Sequence, residues 1–554
     1  MLIRLSTLLQ WPVRICIPLS LLVASMAADA AGREPWTQVR GDAIRSHVEF
    51  LAGDLLEGRA TASRGYDIAA AYVAAEFRQC GLKPAGAPDS YYQTVPLLEA
   101  TAVLPGSSAE LVIDGASHSF EYSTDYLPSA DFLSASSTLS APLTFAGYGI
   151  AAPELGYDDY ATLDLKGRIA VIFSGAPPSF PHNQRAYFSA SNNKYAMLIE
   201  HGAVGAVIID SPTDARRTPW ERSVAMSWRP QMRWLDQAGK AQQTFEQLKL
   251  RFRFNDAAAA RLFAGAERDF ESVRNAIETT PVPGFVLPGL LTLSATTGLR
   301  KTESANVVAL LPGSDPKLKD EYVVISAHLD HLGRGSAVNG DSVYNGAHDN
   351  AVGIGIMLEM ARALNLSGVK PRRSLIFVAV TGEEKGLLGS DYFAQLPPMI
   401  APGSLVANIN VDMPMLFTPT EDLIAYGEEH STLGASARAA AQNEGYRLTP
   451  DPVPEQVSFV RSDQYSFIRQ GIPAIFLSAG DKSRDPRTNA AELKRDFREN
   501  HYHQPSDDLS LPMDFDGAAA LARVNLRIAL EIANAQARPA WKAGDFFGRK
   551  FAGK

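Results

Sequence analysis

The sequence predicts an α/β fold: a mostly parallel, mixed sheet with helices on both faces, interrupted by an inserted β-rich segment. Three apolar runs in the C-terminal half predict the sheet: YVVISAH, SLIFVAVT and LVANINVD. Strands that are apolar throughout are typical of a parallel sheet buried on both faces. Residues 352–364 lie between the first two runs and have the pattern of a covering helix, and a further amphipathic helix is predicted for residues 517–535.

The length of 554 residues predicts more than one domain. Residues 32–100 are predicted to form the helical N-terminal part of a main domain that continues over residues 299–554. Residues 101–298 contain short strand-like runs between Gly, Pro and Asp turns, which predicts the inserted β-rich domain.

Two helices are predicted before the insertion. Ile44, Val48, Leu51 and Leu55 recur at helical spacing after a candidate cap at Asp42. A second helix is predicted for residues 66–80 and ends at a glycine.

The N-terminus has the features of an export signal. Arg4 and Arg14 precede an apolar run at residues 15–28, and small residues follow through Ala31. The run is shorter than the roughly 20 residues that a membrane-spanning helix requires. We therefore expect a signal peptide over residues 1–31, an exported protein that is periplasmic or extracellular, and no stable membrane span after cleavage. An uncleaved anchor is the alternative.

Charge and cysteine content restrict the classes of function. The formal net charge of −9 provides no basic surface for nucleic acid or an anionic membrane. Of the two cysteines, Cys16 lies in the predicted signal and Cys80 in a helical pattern, so a cysteine zinc site is excluded in the mature chain. Any metal must be held by His and carboxylate side chains, and Cys80 is expected to be a buried apolar residue.

Polar side chains appear where the predicted strands end. His328 and Asp330 follow the first strand, Glu383 and Glu384 follow the second, and Asp412 follows the third. Because the carboxyl ends of parallel strands form one crevice, these side chains are expected to meet there. Five of the ten histidines also fall in three short segments of this half: His328, His331, His348, His501 and His503.

These residue types suit a hydrolytic metal centre. Zinc is bound by imidazole and carboxylate groups, and paired zinc ions are bridged by a shared carboxylate. In an adjacent glutamate pair, one carboxylate can bind metal while the other accepts a proton. An Asp two residues after a ligand His can orient its imidazole. Each motif alone is more typical of a solvated loop, but their order at successive strand ends predicts a site.

At these residues the sequence resembles the di-zinc exopeptidases, which include bacterial leucyl-type aminopeptidases, glutamate carboxypeptidases and glutaminyl cyclases. The matching strings are VVISAHLDHLG, NGAHDNAVGIGIMLEMAR, SLIFVAVTGEEKGLLGS, NINVDM and NHYHQPSDD. The N-terminal string HVEFLAGDLLEGRATASRGYDIAAAYVAAEFRQCGLKPAG also resembles that family. The insertion resembles a protease-associated domain through LTFAGYGI, YDDYATLDLKGRIAVIFSG and KYAMLIEHGAVGAVII.

The resemblance implies two bound Zn²⁺ ions and assigns residues of this chain as their ligands. His328 and Asp412 would bind one ion. Glu384 and His503 would bind the other, and Asp349 would bridge the two.

The resemblance also assigns catalytic roles. Glu383 would be the general base, and the carboxylate of Asp330 would orient His328. A cis peptide between Asp349 and Asn350 is implied as well.

Several neighbouring residues are expected to remain outside the ligand set. His348 stands where the family has a small or acidic polar residue, and we interpret it, with His331 and His501, as a bystander or an outer contact. Asp463 is a candidate substrate-pocket residue, with an exposed loop carboxylate as the alternative. Asp507 matches a family position and is expected to position the loop that presents His503.

The predicted function is a secreted exopeptidase that acts on peptides with a free N-terminus. No arginine cluster accompanies the metal motifs in the sequence, which favours an aminopeptidase over a carboxypeptidase of the glutamate carboxypeptidase type. A glutaminyl cyclase fits less well, because that branch lacks the insertion and uses one zinc. The non-enzymatic alternative is a silent receptor-like or scaffold protein, but such relatives lose ligands that this chain retains. The insertion is expected to restrict the active-site mouth, or else to be a spacer or a dimerisation surface.

Overall fold

The computed structural model describes residues 34–553. The predicted signal peptide, residues 1–31, lies outside the described residues. Within the described part of the chain, no helix is both long enough and apolar enough to cross a membrane.

The C-terminal half contains a mixed sheet. Four strands lie parallel in the spatial order 474–479, 405–410, 322–328, 374–380. Antiparallel strands flank this parallel group on both sides. The strands of this half are Tyr322–His328, Gly333–Val338, Asp341–Tyr344, Ser374–Val380, Leu405–Asn410, Asp422–Tyr426, Arg447–Thr449 and Ala474–Ala479.

Both faces of the parallel strands are buried, as the apolar runs predicted. Val323 and Ile325 point to the face covered by Met357, whereas Val324 between them points to the opposite face, which Phe467 covers. Because side chains alternate along a strand, an uninterrupted apolar run fits only a sheet covered on both sides. The predicted fold class is confirmed.

Helices from both ends of the chain cover this sheet. The first face is covered mainly by Gly41–Leu51, Arg64–Gln79, Val352–Ser367, Leu433–Asn443 and Phe515–Asn534. The other helices of this half are Leu388–Gln395, Gln464–Ile468, Ala490–Asp496 and Phe546–Phe551. Cys80 is buried among apolar residues under the first face, as expected.

The first helix differs from its prediction at both ends. Asp42 lies inside the first turn, and Arg40 is the residue at the N-cap. Ile44, Val48 and Leu51 are buried, but Leu55 is 89% exposed. The helix ends at Leu51, so the helical spacing no longer applies four residues later.

Residues 101–298, which we call the middle segment, extend the same hydrogen-bonded sheet through two long strands, Tyr92–Ile113 and Phe285–Leu311. The predicted domain boundaries at 101 and 298 fall inside these strands, and the domain division stays a prediction. The remaining strands before residue 299 are Lys83–Pro84, Ala116–Phe120, Tyr126–Pro128, Ser136–Phe145, Ala151–Ala152, Tyr157–Asp158, Ile169–Phe173, Gly205–Ile209, Gln231–Trp234 and Leu250–Phe254. The helices of the middle segment are His182–Ser189, Ser191–Glu200, Pro212–Arg217, Trp220–Ala225, Asp256–Leu262 and Phe270–Ala276.

Candidate metal centre

Potential metal ligands meet at the carboxyl edge of the parallel strands. His328 ends the strand Tyr322–His328, and Asp412 lies two residues beyond the strand Leu405–Asn410. Nε2 of His328 is 3.0 Å from Oδ1 of Asp412 and 3.2 Å from Oδ1 of Asp349. Ligand atoms of these three buried residues lie within 4.8 Å of one another, which is close enough to hold one cation.

A second group of ligand atoms forms around the other oxygen of Asp349. Nε2 of His503 is 3.3 Å from Oδ2 of Asp349 and 3.2 Å from Oε2 of Glu384. Asp349 therefore directs one oxygen toward each group, as a bridging carboxylate does. All five residues predicted as ligands come together at this edge of the sheet.

His331 belongs to the second group, which corrects its interpretation as a bystander or an outer contact. Its Nδ1 is 2.8 Å from Oε1 of Glu384 and 3.9 Å from Oδ2 of Asp349. The backbone N–H of His331 donates to the carbonyl oxygen of Arg59, which fixes the loop. That contact with a distant segment holds the loop in which the ring of His331 points inward. The position of His331 three residues after His328 in the sequence was therefore not sufficient to predict this orientation.

The donor set fits zinc. Imidazole nitrogens and carboxylate oxygens are zinc ligands, and here they are buried together. Nδ1 of His331 and Oε1 of Glu384 approach closely yet form no hydrogen bond, and both atoms are buried. Buried polar atoms without a partner cost free energy. Ligation of a shared cation would satisfy both.

Pairing with histidine also affects the acidity of Glu384. Burial alone would disfavour its charge, but His503 and His331 hold the pKa of the carboxyl well below its usual value. Glu384 is therefore ionised, which is the state that binds a cation.

Glu383 lies outside both groups of ligand atoms but faces the same cavity as His328, Asp349 and Asp412. Burial raises the pKa of its carboxyl well above the usual value. A carboxylate with increased proton affinity is suited to accept a proton during a reaction.

The resemblance implied that the carboxylate of Asp330 orients His328, but the structure does not show this contact. Nδ1 of His328 lies 3.1 Å from the backbone carbonyl oxygen of Asp330. The carboxylate instead accepts hydrogen bonds from the hydroxyl of Thr61, at 2.8 Å, and from the backbone N–H of Glu383, at 3.1 Å. Asp330 thus links the His328 loop to the loop that carries Glu383.

The part of the chain that matches a known protein family contains the candidate metal ligands. Residues 306–529, which include all of the residues above except Thr61 and Arg59, match peptidase family M28. The predicted resemblance to a family of zinc peptidases is thereby confirmed for these residues, which we call the M28 segment. The resemblance of the insertion to a protease-associated domain stays a prediction.

Curated relatives match over part of their length. A probable zinc metalloprotease of Pyrenophora teres f. teres (strain 0-1) is 28% identical over 262 residues, which cover 42% of this chain and 53% of that protein. One from Pyricularia oryzae is 29% identical, covering 42% of this chain and 50% of that protein. Leupeptin-inactivating enzyme 1 of Streptomyces exfoliatus is 25% identical, covering 32% and 36%. The chain spans about half the length of the first two relatives.

A solved structure supports the fold over more of the chain. An aminopeptidase from Aneurinibacillus sp. strain AM-1 is 19% identical, with a TM-score of 0.52. The similarity covers 91% of this chain and 96% of that one. At this identity the comparison shows a common fold.

Asp507 holds the loop of Asp349 in the M28 segment. Its carboxylate accepts the backbone N–H groups of His348, at 2.8 Å, and Asp349, at 3.0 Å. We expected it to position the loop of His503, so the structure corrects this assignment. The implied cis peptide between Asp349 and Asn350 is present.

Replacing Asp507 with Asn is expected to weaken zinc binding about 10- to 100-fold, because outer partners of ligands have effects of this size. The amide would offer one acceptor oxygen where the carboxylate offers two. A competitive titration against a chromogenic chelator measures the change.

Asp508→Asn is the matched control, since that carboxylate only accepts the backbone N–H of Ser510 at an exposed position. Equal zinc affinities for the Asp507 variant, the Asp508 variant and the wild type would contradict the positioning role.

Arg59 is a second supporting residue that the sequence did not reveal. Its side chain is buried, and it donates hydrogen bonds to four backbone carbonyl groups: those of Leu51, Leu329, Asn345 and Gly346. Three of these acceptors lie within a few residues of His328 or Asp349, and the fourth, Leu51, ends the helix Gly41–Leu51. Burial lowers the pKa of Arg59 to about 10, so it remains a cation at neutral pH.

The other candidate residues belong to neither ligand group. Asp463 does not line the cavity and is not exposed; it is fully buried, and burial raises the pKa of its carboxyl to about 7. His348 does not face solvent, since its ring lies 4.4 Å from that of Phe417 in the interior. His501 hydrogen-bonds Ser506, which agrees with its interpretation as a bystander.

The metal centre opens into a cavity of about 1430 Å³. Both the middle segment and the M28 segment line it, and Nη2 of Arg229 from the middle segment lies 3.3 Å from Oε2 of Glu384. Nine arginines of the described residues line this cavity. They come from segments far apart in the sequence, so the absence of an arginine cluster beside the metal motifs in the sequence does not carry over to the folded chain.

Proposed function

We propose that this protein is a zinc-dependent exopeptidase with two zinc ions at the M28 site. The observation that carries the proposal is that Asp349 directs an oxygen to each of two ligand groups, while Glu383 faces the adjoining cavity. His328 and Asp412 would complete one site. Glu384 and His503 would complete the other, with His331 as an additional candidate ligand.

The roles of the side chains follow from this arrangement. Bound zinc would supply the Lewis acidity that activates water and polarises a peptide carbonyl. Glu383 accepts the proton of the attacking water and transfers it to the leaving amine. Asp330 holds the backbone of Glu383 in place. Because the ligand set and the general base are both complete, a silent scaffold is the weaker interpretation.

For the direction of attack, the first candidate is an aminopeptidase that acts on peptides with a free N-terminus. This preference is supported by the aminopeptidase from Aneurinibacillus sp. strain AM-1, which has the same fold. A carboxypeptidase is the second candidate, and the arginine lining of the cavity favours it, because arginine pairs with carboxylates.

The predicted export signal places this activity outside the cytoplasm, in the periplasm or the extracellular medium. A peptide is the proposed partner, and we propose no nucleic-acid or membrane partner. The middle segment is proposed to restrict access, since its Arg229 contacts Glu384 beside the cavity.

A substrate panel with metal removal tests the proposal. Aminoacyl p-nitroanilides, N-acetylated peptides and C-terminally amidated peptides are offered to the purified protein with and without a chelator. We expect hydrolysis of substrates with a free α-amine, loss of this activity with chelator, and recovery on addition of zinc.

Hydrolysis of N-acetylated peptides that requires a free C-terminus would assign the carboxypeptidase direction instead. Failure of the zinc-loaded protein to hydrolyse any peptide would contradict the proposed function.

A further inference from the structure

The cavity in front of the metal centre is cationic although the chain as a whole is acidic. Of the residues that the structure describes, nine arginines and no lysine line it, whereas the formal net charge of the protein is −9. Apart from the residues at the metal centre, four carboxylates share this lining: Glu278, Glu455, Asp481 and Glu499. The excess of positive charge in a concave site produces a field that attracts anions.

Four of these arginines form no ion pair within 4.0 Å among the described residues. Five of the nine form ion pairs, with Glu278, Asp214, Glu384, Asp210 and Glu492. The remaining four are Arg185, Arg222, Arg461 and Arg498. Since these four guanidinium groups form no ion pair, they are available to an anionic ligand. Arginine can bind a carboxylate through two parallel hydrogen bonds.

Two of the four contact Tyr502, the residue that precedes the proposed zinc ligand His503. Nη2 of Arg461 donates to the hydroxyl of Tyr502 at 3.3 Å, and the guanidinium of Arg222 donates to the backbone carbonyl of the same tyrosine. The ring of Tyr502 stacks on that of His503 with 3.8 Å between centroids. The cationic groups are thus next to the metal centre.

The four arginines also come from opposite parts of the chain. Arg185 and Arg222 belong to helices of the middle segment, whereas Arg461 and Arg498 belong to the M28 segment. A ligand in the cavity can therefore contact cations from both segments at once. The cavity volume of about 1430 Å³ exceeds the range of roughly 300–1,000 Å³ that is usual for small-molecule pockets, so an extended ligand fits.

We infer that this cavity binds the carboxylates of acidic peptides and that the enzyme hydrolyses such peptides in preference to neutral ones. The inference rests on the proposed function for the hydrolytic step, but the binding step depends only on the arginine lining. The carboxylates that are recognised come from acidic side chains or from the C-terminus of the peptide.

Three peptides of equal length distinguish these sources: alanyl-triglutamine amide, its free acid, and alanyl-triglutamate amide. At low ionic strength we expect kcat/KM about tenfold higher for the triglutamate amide than for the triglutamine amide. The difference should shrink as salt is added, because screening shortens the range of these interactions to about 10 Å at 0.1 M. A preference confined to the free acid over its amide would assign recognition to the terminal carboxylate.

Substitution of the unpaired arginines identifies the groups responsible. The double variant Arg461→Gln/Arg498→Gln should lower the ratio of acidic to neutral kcat/KM about tenfold. Arg447→Gln is the matched control, since Arg447 is exposed, lies outside the cavity and has only a 3.5 Å contact with Glu421. An unchanged ratio in the double variant would overturn the inference.

Calorimetric binding to the zinc-loaded Glu383→Gln variant tests recognition without turnover. Tighter binding of the triglutamate amide than of the triglutamine amide supports the inference even if no hydrolysis is found in the wild type, a result that would reject only the proposed function. Equal affinities and equal kcat/KM values for all three peptides would overturn the inference while leaving peptidase activity intact.

Discussion

Replacing Glu383 with Gln is expected to lower kcat/KM by a factor of about 10²–10⁴, which is the usual contribution of a positioned general acid or base. Gln has nearly the shape of Glu but cannot accept a proton from water. Because Glu383 belongs to neither group of ligand atoms, zinc content should remain that of the wild type. Steady-state hydrolysis of a dipeptide substrate and metal analysis by mass spectrometry measure the two quantities.

The adjacent residue provides a matched comparison. Glu384→Gln makes the same chemical change at a residue whose carboxylate lies in the second ligand group, so it should lower both activity and zinc content. Normal turnover by the Glu383 variant would reject its role as the general base. Loss of zinc from the Glu383 variant would instead place its carboxylate among the ligands.

Replacing Arg59 with Met should lower the free energy of unfolding by about 3–5 kcal/mol, the range found when one partner of a buried charged network is removed. Met retains much of the volume of the side chain but none of its donors. Four backbone carbonyl groups would lose hydrogen bonds, and the buried carboxylates of Asp330, Asp349 and Asp507 would lose a nearby cation. Unfolding in urea, followed by circular dichroism, measures the change.

Arg64→Met is the control for this substitution, since the side chain of Arg64 is 74% exposed and its contact with Glu57 is 3.9 Å long. Exposed pairs of this kind contribute about 0–1 kcal/mol. A similar stability for the two variants would mean that the buried network around Arg59 does not stabilise the loops of the metal centre.

Much of the fold could be predicted from local pattern. The apolar run YVVISAH predicts a strand, and the structure contains the strand Tyr322–His328. The helix predicted for residues 352–364 is Val352–Ser367. The apolar pattern was sufficient here because nearly every position of residues 322–327 and 352–364 is buried, so each position is constrained. At Leu55 the same reasoning was wrong, because the helix ends at Leu51, just before Gly53, a residue type that commonly follows the end of a helix.

The site could be predicted only in part. His328, Glu384 and Asp412 were found because parallel strands direct their carboxyl ends to one edge, which is a general property of this architecture. The inward rotation of His331 and the buried cation of Arg59 depend on contacts between segments roughly 270 residues apart, as in the hydrogen bond from Arg59 to Leu329. Such contacts leave no periodic pattern in the sequence.

The sequence by itself determined the α/β class and indicated candidate ligands at the strand ends, through apolar patterning and the chemistry of side chains there. Its resemblance to the di-zinc exopeptidases implied the rest of the ligand set and the role of Glu383 as the general base. Only the tertiary structure decided which oxygen of Asp349 faces which group, that Asp330 holds the Glu383 loop, and that nine arginines surround the cavity. The physical reason is that hydrogen bonds and electrostatic fields depend on distances in space, and chain folding sets those distances between residues that are remote in sequence.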